Sequence, residues 1–180
     1  MLPTSWTDLL IRNLSRTQKN NRFSLPRTCL IGVGNDLRGD DSVGLMVART
    51  LLSHLQTTDS PAHLLVVEGG LAPENVTGRL RTFQPEIVIL IDAAHMDETP
   101  GTIQWIPLDA IDGVSASSHS LPLSMLASYI AVEMGCEVFV LGIQPMHNAV
   151  DTVLTAPVRF AMDEIVKEMT RIFLNVSMGQ

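Results

Sequence analysis

Residues 87–91 read Ile-Val-Ile-Leu-Ile, an unbroken apolar run that stops at an acid, Asp92. The run is too short for a buried helix, and its β-branched side chains favour extended backbone. A strand with one wet face would alternate apolar and polar residues, and this one does not. Both faces must therefore be covered, as in a central strand with helices packed on either side.

The rest of the chain supplies the covering layers. Residues 29–33 form a second short apolar run, followed by a polar loop over 34–39. Val43, Met46, Val47, Leu51 and Leu55 recur at helical spacing and predict a helix over 41–55. Residues 63–67 read as a strand, and 73–83 as a helix with Pro73 in its first turn. Further on, 103–106 reads as a short edge strand, 121–134 as a helix, 136–142 as a strand and 156–173 as the last helix. Strand–helix alternation of this kind predicts an α/β sandwich with a mainly parallel sheet. A length of 180 residues, 46% hydrophobic, suits one such domain, taken as residues 28–180.

Residues 1–27 stand apart. They carry a net charge of +4, against −11 for the remainder. Trp6, Leu9, Leu10 and Leu14 have roughly helical spacing, so a short amphipathic helix is expected, followed by linker-like stretches at 19–21 and 24–26. This basic extension reads as a partly ordered tail rather than a docking element. It lacks the compact apolar core and small-residue cleavage site of a secretory signal; its Arg and Ser content leaves an organelle transit peptide open. No apolar run approaches the ~18 residues needed to span a bilayer. The acidic body repels phosphates, which argues against nucleic acid as a partner. Cys29 and Cys136 fall in separate apolar runs and read as core thiols rather than a disulfide or metal pair. A reducing, cytoplasmic setting is expected.

In sheets of this kind ligands sit beyond the carboxyl ends of the strands. The segments expected there are Gly-Asn-Asp-Leu-Arg-Gly-Asp-Asp (34–41), Glu-Gly-Gly (68–70), Asp-Ala-Ala-His-Met-Asp (92–97) and Gly-Ile-Gln-Pro (142–145). A dinucleotide fingerprint opening at Gly32 and Gly34 would need a third glycine at position 37, which is Leu37. Asp40 and Asp41 would moreover repel a pyrophosphate at the helix start. Residue type alone gives both acids a structural reading as helix caps, worth about 0.5–2 kcal/mol, but one cap uses one acid. Asp92 ends the most apolar strand, where a carboxylate must find a partner or serve as a ligand or acid–base group. His119 lies in a polar turn before Pro122; a lone histidine there is ordinarily solvated, as His54 and His63 are expected to be. His95 and His147 follow strand ends and are secondary candidates. Asp41, Asp92 and His119 together can converge from separate segments. Two carboxylates and an imidazole suit zinc, nickel, iron or manganese and leave coordination positions open.

At these residues the sequence resembles the hydrogenase maturation proteases, endopeptidases that remove a C-terminal extension from the large subunit of nickel–iron hydrogenases. The matching elements are Gly32-Val33-Gly34-Asn35 with Gly39-Asp40-Asp41, and Glu68-Gly69-Gly70 with Ala72-Pro73-Glu74-Asn75. They continue with Asp92-Ala93, His119-Ser120-Leu121-Pro122-Leu123 and Leu141-Gly142-Ile143-Gln144-Pro145, so that the likeness covers about residues 29–173. The second and last of these elements point to the formate-hydrogenlyase-type branch.

The resemblance implies a three-layer sandwich with a twisted, mainly parallel sheet between helices. It implies that Asp41, Asp92 and His119 bind a metal together and recognise nickel already inserted in the large-subunit precursor; zinc or cadmium would occupy the same site in vitro. An aspartyl-type mechanism would use Asp41 or Asp92 as the base, while metal polarisation of the scissile carbonyl is the other route. The partner would be that precursor, held transiently by a monomer. The extension over 1–27 has no counterpart in the family pattern, and Ser42 stands where Gly or Ala often follows the acid pair. A non-catalytic nickel-checking or chaperone module using the same ligands is the alternative function, and a nucleotide binder the third.

Overall fold

The computed structural model describes residues 5–17, 25–56, 61–111, 122–150 and 152–174. The run at 87–91 lies within β3 (Ile87–Ala93), every residue of which is buried. Strand β1 (Thr28–Val33) pairs with it in parallel on one side and β5 (Glu137–Ile143) on the other. Next to β1 runs β2 (Leu64–Gly70), also parallel, while β4 (Ile103–Ile106) closes the far edge antiparallel to β5. The resulting order is β2-β1-β3-β5-β4.

Helices cover both faces, as the apolar run requires. Ile87, Ile89 and Ile91 share a core with α1 (Trp6–Thr17), α2 (Val43–Gln56) and α5 (Ala156–Phe173). Val88 and Leu90 point the other way, into a second core with α3 (Thr77–Phe83) and α4 (Leu123–Met134). This is the expected three-layer sandwich. Among the described residues no helix is long and apolar enough to cross a membrane.

Element ends differ from the sequence reading where pairing continues past the last apolar residue. Strand β2 runs on through Glu68 and Gly69 to Gly70 because Gly32 and Val33 of β1 still offer partners there. Asp92 lies inside β3 for the same reason, opposite Gly142. The helices expected from 41 and 73 both begin with a tighter 3₁₀ turn, Gly39–Ser42 and Pro73–Val76.

The helix expected in the basic extension forms, but it is packed on the body instead of trailing from it. Trp6, Leu10 and Leu14 make a stripe that is buried in the same core as α2 and α5. Two indoles fix its approach: Trp6 Nε1–H donates to Glu164 Oε1 at 2.8 Å, and Trp105 Nε1–H donates to the carbonyl of Trp6 at 2.9 Å. An amphipathic stripe of this size gains too much from burial to remain in water. Residues 1–4 and 18–24 lie outside the described residues.

Both cysteines are free thiols, Cys29 fully buried on β1 and Cys136 half-buried just before β5. Burial pushes the Cys29 thiol up to about 12 and that of Cys136 up to about 11. Two outcomes are expected. Replacing the wholly buried Ile89 by Ala should lower the unfolding free energy by about 2–5 kcal/mol in a denaturant titration. Iodoacetamide at pH 8 should label neither thiol appreciably until the protein unfolds. Raised thiol pKa values favour the fold below the ordinary thiol value of 9.0, so their contribution should be lost progressively as pH climbs from there to about 12.

Candidate active site

Strand β2 lies on one side of β1 and β3 on the other. The chain leaving β1 enters α2 on one face of the sheet, and the chain leaving β2 enters α3 on the opposite face. The strand order reverses between β1 and β3, and the crevice beyond the carboxyl ends of the strands at such a point is where sheets of this kind bind ligands.

The first turn of α2 sits directly on those strand ends. A Cβ at Gly44 would collide with the carbonyl oxygens of Ile91 and Val33, so only glycine permits this approach. Before it, Gly34 adopts φ +133°, and a Cβ there would strike the carbonyl of Asp41. The loop closes tightly: Gly34 N–H donates to Gly70 O at 3.1 Å and Asn35 N–H to Asp41 O at 3.3 Å. These contacts place the turn Gly39–Ser42 against β3.

The two neighbouring acids now part company. Asp40 caps no helix of its own: the turn that holds it has Arg38 at its N-cap and no side-chain cap bond. Its buried carboxylate instead accepts the N–H of Met146 at 2.9 Å, of His147 at 3.2 Å and of Thr155 at 2.7 Å. The Thr155 hydroxyl adds a fourth bond at 2.9 Å. Thr155 is the N-cap residue of α5, so Asp40 tethers the first crevice loop to the segment joining β5 and α5. Asp41 is 2% exposed, in the turn packed on β3. Asp92, 1% exposed, accepts the N–H of Ala93 on Oδ1 at 2.9 Å.

Two of the three residues singled out by sequence thus lie at adjoining strand ends. The third, His119, falls outside the described residues. Asp92 is in step with Val88 and Leu90 along β3, so it faces the layer of α3 and α4, and α4 begins only four residues after His119 in sequence. Among the described residues no group of three metal-ligating side chains is assembled. His95 and His147 flank the crevice on exposed loops. His54 and His63 stand elsewhere, His63 Nε2 being 3.2 Å from the carbonyl of Phe173.

Two further residues build the site without having been assigned a role from sequence. Gln144, buried just after β5, accepts the N–H of Met96 at 2.7 Å and of Glu98 at 3.3 Å on Oε1. It holds the loop that follows Asp92, where Asp97 takes φ +58°. Arg49 on α2 bridges Asp36 at 3.1 Å and Glu68 at 2.7 Å, joining the loop after β1 to the end of β2. A glutamine directly after an apolar strand was the available signal for the first; nothing local marks the second. A cleft of about 670 Å³ lies at the opposite, amino end of the strands. Ion pairs cross it from Arg16 to Glu137 and from Arg81 to Glu133, and it adjoins none of these acids.

Fold and site together define a three-layer α/β protein with an acid-lined crevice at the switch point of its sheet, an arrangement suited to hydrolytic chemistry. Comparison with known proteins makes the class specific. Residues 47–172 match the HycI family of hydrogenase maturation proteases. The hydrogenase 3 maturation protease of Escherichia coli K12 is 30% identical over 141 residues, which is 78% of this chain and 86% of that protein. The crystal structure of the [NiFe] hydrogenase maturation protease HycI from Thermococcus kodakarensis superposes with a TM-score of 0.75 at 26% identity, covering 92% of this chain and 99% of that one. The solution structure of the E. coli endopeptidase HycI gives 0.68 at 29% identity, covering 80% and 90%. This chain belongs to the hydrogenase maturation protease family and is a hydrolase acting on peptide bonds.

The Asp40 junction carries its own test. Asp40→Ala removes four hydrogen bonds and strands three backbone N–H groups, so it should lower the unfolding free energy by roughly 2–4 kcal/mol in a urea titration. Hydrogen exchange should quicken at Met146, His147 and Thr155 before the rest of the sheet.

Proposed function

We propose that this protein removes the C-terminal extension from the nickel-loaded precursor of a nickel–iron hydrogenase large subunit. The observation that carries the reading is the burial of Asp41 and Asp92 at adjoining strand ends in a chain of this family. Core packing would favour apolar residues there, since burying a carboxylate costs free energy unless it is compensated.

Nickel enters as part of the substrate. Asp41, Asp92 and His119 are the side chains proposed to meet it, and two carboxylates with an imidazole suit a borderline divalent ion. Zinc or cadmium would take the same donors in the isolated protein. Such docking fixes the scissile peptide against the crevice and supplies orientation. One carboxylate, Asp41 or Asp92, then takes a proton from water as the water oxygen bonds to the carbonyl carbon. That proton passes to the leaving nitrogen as the C–N bond breaks. This makes the enzyme aspartyl in type. We further assign its action to the cytoplasm, as a monomer in transient complex with the precursor.

Asp41→Asn, Asp92→Asn and His119→Ala should each slow conversion of the nickel-loaded precursor by about 100-fold or more, with circular dichroism unchanged. Asn keeps the size of Asp but removes the charge that attracts a cation. Combining two of these changes should add little to either alone, because residues acting as a unit are not additive. Normal conversion by all three variants would refute the site. A wild-type protein that binds the precursor without shortening it would point to a checking or chaperone role.

A further inference from the structure

Five large apolar side chains stand in water on the loops around the acids. Leu37 is 61% exposed, Leu71 48%, Met146 55%, Val150 61% and Val153 79%. They come from three separate connections: Leu37 from the loop after β1, Leu71 from the residue after β2, and the others from the segment between β5 and α5. Hydrogen bonds hold these connections side by side. Gly34 N–H donates to Gly70 O, next to Leu71; Gly39 N–H donates to Thr152 O at 3.2 Å, next to Val153; and Asp40 takes the N–H of Met146. The apolar groups therefore form a rim on the same end of the sheet as Asp41 and Asp92.

Single exposed apolar residues need no explanation, but a cluster on pinned loops beside a functional crevice does. Of the nearby charges, Asp36 and Glu68 pair with Arg49, and Asp40 accepts three N–H groups and the Thr155 hydroxyl. Arg38, next to Leu37, has a buried Nε with no hydrogen-bond partner among the described residues. Beside that cation, the rim offers a visitor apolar surface. Loops fixed by internal hydrogen bonds lose little freedom on binding, so that surface is preorganised.

Resting on the proposed function, we infer that this rim is the docking surface for an apolar segment of the large-subunit precursor adjoining the scissile bond. The occupant follows from continuity with the crevice: a protease acting on a folded protein must seat chain on either side of the bond it cuts, and these loops are the ground next to the acids. Leu37, Met146 and Val153 are then specificity residues that act by binding and leave the chemical step to the carboxylates.

The test is steady-state processing of the nickel-loaded precursor by Leu37→Ser, Met146→Ser and Val153→Ser. Each should raise KM about 5- to 20-fold while kcat stays within about twofold, since losing burial of one such side chain is worth roughly one factor of ten. The double change Leu37→Ser with Val153→Ser should raise KM further. Melting temperatures should stay at the wild-type value because the side chains are exposed. Val132→Ser on α4, at an 85% exposed position next to the opposite end of the sheet, should change neither parameter. Unchanged KM in the rim variants, or a loss confined to kcat, would overturn the inference. So would a concentration-dependent dimer in sedimentation that the same substitutions dissolve, which would assign the rim to a second copy of the chain. A wild-type protein that fails to shorten the precursor would instead overturn the proposed function, so the two failures are distinguishable.

Discussion

A carboxylate with no access to water must find its hydrogen-bond donors inside the protein, and Asp40 finds four. That requirement organises the carboxyl end of the sheet. The donors come from the segment between β5 and the start of α5, far along the chain from Asp40 itself. Because three of the four are backbone groups, satisfying the charge also fixes the course of that segment. Neighbouring backbone bonds from Gly39 to Thr152 and from Asp40 to His147 make the junction a short seam rather than a single point. Two loops that would otherwise be independent become one rigid surface beside the crevice.

The architecture was legible because its main determinant is crude. Five consecutive apolar residues at 87–91 demand cover on both faces, and only a layered sheet supplies it. The helix at 156–173 could be placed to the residue, since its apolar spacing and Pro157 leave little choice. Strand ends were less legible, because pairing in a ladder depends on the neighbour and not on local apolarity. Glu68-Gly69-Gly70 reads as a loop in isolation yet extends β2. The packing of the helix over residues 6–17 was less legible for a related reason. A sparse stripe of Trp6, Leu10 and Leu14 looks marginal alone, and its value depends on α2, α5 and Trp105 waiting to receive it.

The site was legible as a set of segments and less so as roles. Spacing could place acids beyond the ends of β1 and β3, but it could not tell Asp40 from Asp41. Both have the same side chain, and both fit a cap. What separates them is the donors of residues 146–155, which contribute nothing to the local pattern at 39–42. Gln144 illustrates the converse. Its amide is spent on Met96 and Glu98, so a motif residue beside the crevice turns out to shape the loop after Asp92. Neither partner could be inferred from position in the chain.

This division of labour bears on why two adjacent acids occur at all. A single aspartate could not both saturate itself with the N–H groups of the β5–α5 segment and present a carboxylate to a visiting cation. The bonds that fix the loop would be the ones lost on binding. Placing the structural charge on Asp40 and the neighbouring one on Asp41 lets the turn be held by one while the other faces the chemistry proposed for it. The 3₁₀ geometry of Gly39–Ser42 serves the same end, since successive residues on so tight a turn point in widely different directions. On one short turn, Asp40 holds the loop and Asp41 is the carboxylate to which the chemistry is proposed to fall. Gly44 beyond it carries the assembly down onto the ends of β1 and β3, next to Asp92.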